Sequence, residues 1–169
     1  MGPHLVIAGM MGVGKTTTAA ALGARLDLVH RESDADIEAV FGRTGQQIAV
    51  TDGVDALHDL EAAMLLGSLA HPEPLVISAA GWVVEHEPCR VALARRAFTV
   101  VLEVPIDALI ERIASGSHRR AISREELIDI QGRRRGWYDE IADLVLDARE
   151  PTEHLVSRIV DAVGSLPSG

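Results

Sequence analysis

Short apolar runs alternate along this chain with stretches of helical periodicity. Leu5-Val6-Ile7-Ala8 is a continuous apolar run that ends at Gly9, the pattern of a strand buried on both faces in a parallel sheet. Residues 15–26, rich in Ala and Leu, predict a helix, and Leu28-Val29-His30 predicts a second short strand. A helical pattern over 34–41 is broken by Gly42 and Gly45. Residues 52–69 form the longest amphipathic stretch, with Leu57, Leu60, Met64 and Leu65 on one face as candidate core. After the turn His71-Pro72-Glu73-Pro74, the run Leu75-Val76-Ile77-Ser78 predicts a third buried strand that leads into Ala79-Ala80-Gly81. Residues 87–96 read as helix and 98–104 as a β-branched strand closed by Pro105. Residues 106–114 read as helix again, and Ser123-Arg124-Glu125-Glu126 as a capping box opening a long helix. A fifth strand over 143–148 and a closing helix over 153–163 complete the series. Strands alternating with helices in pieces of this size imply βαβ units. The expected fold is therefore α/β: three layers, with a parallel sheet of about five strands and flanking helices, in one domain over 1–169. Residues 33–70 and the loop 115–122, which has no apolar periodicity, read as insertions on that core.

Composition narrows the possibilities. The 169 residues are 47% hydrophobic and 24% charged, ordinary for a globular domain, but only 3% aromatic, so the core must rest on Ala, Val, Leu and Ile. The formal net charge of −9 gives no general attraction for nucleic acid or for an anionic membrane. An anionic ligand must be held by a local positive site against the overall field. Among the sixteen Lys and Arg residues only Lys15 is lysine. Cys89 is the single cysteine, which excludes an intrachain disulfide and fits a reducing cytoplasm. No apolar stretch approaches a membrane span, and the run 5–8 is too brief for a signal peptide. The expectation is a cytoplasmic protein, monomeric or weakly homodimeric, without nucleic-acid or membrane partners.

The chemistry centres on Gly9-Met10-Met11-Gly12-Val13-Gly14-Lys15-Thr16, a complete G-x-x-x-x-G-K-[ST] between a buried strand and a helix. Glycines let the backbone wrap a phosphate with its N–H groups, and the following helix points its positive end at the same anion. In this motif Lys15 bridges the β- and γ-phosphates and Thr16 ligates Mg²⁺. The predicted nucleotide ligands are Gly12, Val13, Gly14, Lys15, Thr16 and Thr17, with ATP and Mg²⁺ as cofactors. The chain has no N-K-x-D base-reading motif, which argues against a GTPase. A short phosphate-loop chain with an insertion after strand two and an arginine-bearing lid suits a small-molecule or nucleotide kinase.

With that loop, Asp34, the Ala79-Ala80-Gly81 turn, the lid arginines and Arg134 to Tyr138, the chain resembles the shikimate kinases over nearly its whole length. The specific feature is Glu32-Ser33-Asp34-Ala35-Asp36-Ile37-Glu38, similar to that family's D-x-D-x-x-I-E segment. The resemblance implies a nucleoside monophosphate kinase-like fold and transfer of the ATP γ-phosphate to a hydroxyl of shikimate or a related hydroxy acid or cyclitol. It assigns Asp34 to the acceptor hydroxyls, as orienting group and late proton acceptor; a helix N-cap is the alternative role. It assigns Glu32, in place of the family's first Asp, to Mg²⁺. Arg120 becomes the lid arginine that closes over the phosphates, with neighbouring Arg119 competing for the role and His118 a further phosphate contact. Arg133-Arg134-Arg135-Gly136-Trp137-Tyr138 is similar to the family's R-x-P-x-Y, which makes Arg134 the grip on the acceptor carboxylate and leaves Arg133 and Arg135 as solvated surface. Arg112 and Arg149 match positions that sandwich the adenine; surface arginine is the alternative.

Two departures fall on the acceptor side. Gly53 to Glu61 is similar to the family's G-x-x-x-F-R-x-x-E, but His58 stands where that pattern has arginine. Histidine makes no bidentate fork and is only partly charged near neutral pH. Ala79 and Ala80 replace two of three glycines that let the backbone approach the acceptor, which leaves Gly81, and Trp82 adds bulk beside it. The predicted acceptor-binding set is Asp34, His58, Ala80, Gly81 and Arg134. Two other readings stand beside the kinase: a nucleotide-binding regulator without turnover, and a nucleotide kinase, which a carboxylate at the acceptor position disfavours. Cys89 and Glu85-His86-Glu87 read as a packed residue and as surface.

Overall fold

The computed structural model describes residues 2–115 and 122–165. Five parallel strands form one sheet in the order β2-β3-β1-β4-β5: β1 His4–Gly9, β2 His30–Glu32, β3 Val76–Ser78, β4 Ala97–Glu103 and β5 Leu144–Asp147. Helices α1 Lys15–Leu26, α2 Ser33–Phe41, α3 Gly45–Thr51, α4 Val54–Leu69, α5 Glu87–Arg96, α6 Ile106–Ala114, α7 Arg124–Ile141 and α8 Thr152–Gly164 connect and flank the strands. Every residue of β1 is buried, as a central strand with helices over both faces requires. α1 packs on α8, while α4, α5 and α7 pack among themselves, so two groups of helices close the core around Ile7, Leu22, Leu65, Leu93, Leu102 and Ile159. Among the described residues no helix is long and apolar enough to cross a membrane.

The alternating plan was legible in the sequence; three local readings need correction. The second strand lies two residues later than Leu28 to His30. Asp27 takes a left-handed C-cap (φ 54°) and the Leu28 amide is spent on Gly23 O, so pairing begins only at His30, opposite Val76. Residues 45–51 are helical, although Gly42 and Gly45 read as breakers. Thr44 Oγ1 accepts from the Gln47 amide while the Gln47 side chain accepts from the Thr44 amide, a reciprocal cap that overrides a glycine in the first turn. The buried face of α4 is Glu61, Ala62, Leu65 and Leu69, whereas Leu57, Leu60 and Met64 are only half-buried. α4 is therefore rotated from its expected facing, with a carboxylate turned inward. The expected lid, with His118, Arg119 and Arg120, lies outside the described residues.

Candidate functional site

Because all five strands are parallel, the loops following β1, β2 and β3 leave from one edge of the sheet. That edge carries the candidate site. Gly9 (φ 141°) ends β1 where a Cβ would stand 2.5 Å from Leu102 O, so only glycine fits between β1 and β4. Gly14 (φ 98°) caps α1 in a left-handed conformation, turning the chain into the helix whose first residue is Lys15. Lys15 Nζ donates to Met10 O at 3.0 Å, which holds the ammonium over the loop. The Thr16 hydroxyl donates to Glu32 Oε1 at 2.5 Å and lies 3.5 Å from Ser78 Oγ.

The two-residue shift of β2 places Glu32 at that strand's carboxyl end, one residue before α2. Glu32 occupies the N-cap position of α2 without capping it by its side chain, which reaches Thr16 instead. Asp34 is not the N-cap: it sits in the first turn of α2, with its carboxylate turned towards Gly45 of α3. Thr16, Glu32 and Ser78 offer oxygen donors only, a set that fits a hard divalent cation such as Mg²⁺. Among the described residues no group of three His, Cys, Asp or Glu side chains is placed to hold a metal by itself.

These residues open into a cavity of about 590 Å³. The phosphate loop, Glu32 and Asp34 line it together with His58, Glu61, Ala80, Gly81, Trp82 and Arg134. Val13 is buried beneath the loop, and Arg112 and Arg149 stand outside the cavity wall. Arg112 donates to Val13 O at 3.0 Å and to Ala148 O at 2.7 Å, tying the phosphate loop to the end of β5. Arg149 pairs with Asp147 at 2.5 Å in the open, and the Asp147 carboxyl is lowered to about 2 by hydrogen bonds from Arg149. Both arginines thus gather at the β5–α8 turn beside the loop, Arg112 as a brace and Arg149 as a surface ion pair.

The Arg134 side chain is only 7% exposed and its Nε donates to Glu85 Oε1 at 2.6 Å. Arg133 reaches the same oxygen at 3.2 Å. Burial pushes the Glu85 carboxyl up, but the hydrogen bonds from Arg134 and Arg133 outweigh it and leave the group below its ordinary value. Tyr138 Oη donates to Gly81 O at 2.8 Å and pins the turn after β3. A Cβ on Gly81 would stand 3.4 Å from both Arg134 Nη1 and Gly9 O, so glycine here allows three segments to converge. Ala79 and Ala80 cause no backbone strain. Asp27 is the only non-glycine residue with positive φ among the described residues, and Ala80 sits at φ −61°, ψ 143°.

His58 stacks on Trp82 with ring centroids 4.1 Å apart and planes 21° from parallel. Burial lowers its pKa and the Arg134 charge lowers it further, while Asp55, Glu85 and Asp59 offset this only in part. One turn along α4 lies Glu61, 8% exposed. Burial raises its pKa to about 7 and the neighbouring Asp34 charge adds to the rise; Trp82, Lys15 and Arg134 pull it back only in part. The Trp82 indole Nε1 is buried and approaches Glu61 without completing a hydrogen bond.

Sequence reasoning placed Glu61 at the end of the G-x-x-x-F-R-x-x-E match without giving it a role, and it missed Glu85. A carboxylate between Leu60 and Ala62, on the apolar side of an amphipathic helix, was the available signal for the first. Glu85-His86-Glu87 read as surface, yet the 3₁₀ turn Gly81–Glu85 directs Glu85 back onto Arg134. Cys89 is buried, as expected, and burial pushes its thiol up to about 11.

A family model described as shikimate kinase matches residues 11–164. The shikimate kinase of Chromobacterium violaceum is 31% identical over 172 residues, covering 97% of this chain and 91% of that protein. Shikimate kinase from Acinetobacter baumannii in complex with shikimate superposes with a TM-score of 0.90 at 24% identity, covering 98% of this chain and 94% of that one. Shikimate kinase from Bacteroides thetaiotaomicron superposes with a TM-score of 0.85 at 25% identity, over 96% and 98% of the two chains.

Proposed function

The chain belongs to the shikimate kinase family and is a small-molecule kinase that uses ATP; on that premise we propose that it phosphorylates a ring hydroxyl of shikimate or a close hydroxylated relative. The observation that carries this reading is the convergence, in one cavity, of the phosphate loop, Asp34 and Arg134. Lys15 and the amides of Gly12 to Thr17 hold the β- and γ-phosphates, and Arg112 keeps that loop in place from behind. Thr16 and Glu32 would hold Mg²⁺, which would supply positive charge against the phosphates. Asp34 orients the acceptor hydroxyl and takes its proton late in a loose transition state. Gly81 and Ala80 form the floor against the acceptor, and Arg134 holds its polar end. Arg149 would flank the base, and the lid arginine expected at Arg120 lies outside the described residues. Residues 33–70 serve as the acceptor-binding insertion of a single cytoplasmic domain.

A nucleoside monophosphate is a poor acceptor here. Its phosphate would enter a cavity that already holds the Asp34 carboxylate, and like charges repel in a desolvated site. The test is ADP release with MgATP and a panel of shikimate, other hydroxy acids, cyclitols and nucleoside monophosphates. Turnover on a hydroxylated ring is expected, and Lys15→Ala should abolish it while the circular dichroism spectrum is unchanged. ATP binding with no turnover on any acceptor would instead establish a nucleotide-binding regulator, and activity on the monophosphates alone a nucleotide kinase.

A further inference from the structure

The Arg134 guanidinium is gripped on one edge by a residue outside the cavity. α7 brings Arg134 to the cavity wall with its side chain only 7% exposed. Its Nη1 stands beside Gly81, 3.4 Å from where a Cβ on that residue would be. Its Nε donates to Glu85 Oε1 at 2.6 Å, and Arg133 Nη2 donates to the same oxygen at 3.2 Å. Glu85 is not part of the cavity wall, so it acts on a bound acceptor through Arg134.

Glu85 is itself well fixed. It ends the 3₁₀ turn Gly81–Glu85, whose first residue belongs to the cavity wall. Arg90 of α5 donates to Val84 O at 2.7 Å, and Tyr138 of α7 donates to Gly81 O at 2.8 Å. The turn is thus tied near both of its ends by the two helices that pack on it. A two-bond grip on a carboxylate requires the guanidinium plane to have one orientation. An arginine side chain has several rotatable bonds, and ordering them as a ligand binds costs affinity. With Nε bonded to a fixed carboxylate, that plane is set in advance. From the 2.6 Å bond, the burial of Arg134 and the anchored turn, we infer that Glu85 is a positioning residue for the acceptor: it orients Arg134 so that the Nη groups meet the acceptor carboxylate. The inference rests on the reading of Arg134 as the acceptor-binding arginine and adds to it a residue that does not touch the acceptor. Glu85 is also an anion near the acceptor, so its removal has two opposed effects, relief of repulsion and loss of orientation. Burial decides between them, because a buried guanidinium released from its partner must turn to find another.

Three variants of Glu85, assayed with MgATP and shikimate, separate the charge from the placement of its oxygen. Glu85→Ala should raise the shikimate KM by about tenfold, with kcat within about twofold and the ATP KM unchanged. Glu85→Gln keeps an accepting oxygen in place without the charge and should return the KM to within about threefold of wild type. Glu85→Asp keeps the charge but withdraws the oxygen by one methylene, and should raise the KM more than E85Q does. An unchanged or lowered shikimate KM in E85A would overturn the inference and leave the kinase reading intact. So would a loss in E85A spread equally over kcat and the ATP KM, which is the mark of a general disturbance of the fold, or an E85Q enzyme more impaired than E85D. Should E85A fail to fold, the comparison of E85Q with E85D decides the inference alone. Absence of wild-type turnover on shikimate and on every other hydroxylated ring would overturn both readings.

Discussion

Glu61 concentrates the electrostatics of the site in one residue. It is buried, it faces Asp34, and its pKa stands at about 7 against an ordinary 4.5. The folded protein therefore holds a proton on Glu61 over a range in which the unfolded chain has lost it. With the native state binding more protons, stability falls as pH rises from about 4.5 to about 7 and then levels off. Across that window the loss attributable to this group is about 3 kcal/mol, an upper figure for a shift of this size. Denaturant titrations at pH 5 and pH 8 should show the wild type less stable at the higher pH. Glu61→Gln, which keeps the shape and removes the titration, should flatten that difference; an undiminished slope in E61Q would assign the effect to another group. The same residue marks the limit of sequence reading. Lys15 and Thr16 were legible because the spacing of the phosphate loop defines their chemistry, and Asp34 through the resemblance of its segment to that of the family. The histidine at position 58 was equally legible, but the burial of Glu61 was not, because it depends on the rotation of α4.

At the scale of elements, strong local signals and weak ones behaved differently. The run 5–8 and the helices over 15–26 and 106–114 lie where their periodicity places them, because each has a single way to bury its apolar face. β2 is three residues long and half exposed; its position is set by pairing with β3, a long-range contact that periodicity does not contain. α3 depends on a cap. Its seven residues are too few for intrinsic propensity to sustain a helix, and Thr44 with Gln47 satisfies two end amides reciprocally. Thr44→Ala should cost about 1 kcal/mol in a chemical melt, and Thr44→Ser should restore most of it. Because α3 carries Gln46 into the cavity wall, fraying it should also raise the acceptor KM while the ATP KM holds. A T44A variant with lost stability and unchanged acceptor KM would show that α3 supports the fold without shaping the acceptor end.

Over the whole molecule, the strand order β2-β3-β1-β4-β5 converts a linear series of motifs into one site. It sets β3 between β2 and β1, so Glu32, Ser78 and the phosphate loop come to adjacent strand ends although the first two stand 46 positions apart in the chain. Alternation predicted a parallel sheet but not this order, since several orders satisfy the same pattern of buried strands. The net charge of −9 then acts against the site that the sheet assembles. A nucleotide triphosphate approaches a surface that repels it at long range and is captured only within reach of Lys15, the loop amides and the amino end of α1. Salt shortens the reach of the repulsion, from about 30 Å at 0.01 M to about 8 Å at 0.15 M, and screens the desolvated contacts of the loop much less. The ATP association rate, measured by stopped flow at fixed free Mg²⁺, should therefore rise by roughly two- to fivefold between those ionic strengths. The dissociation rate should change little, because it is set by contacts buried in the loop. A fall in the association rate with salt would show that the local positive site governs the approach as well as the capture, and that the acidic surface lies too far from the cavity edge to act on the incoming nucleotide.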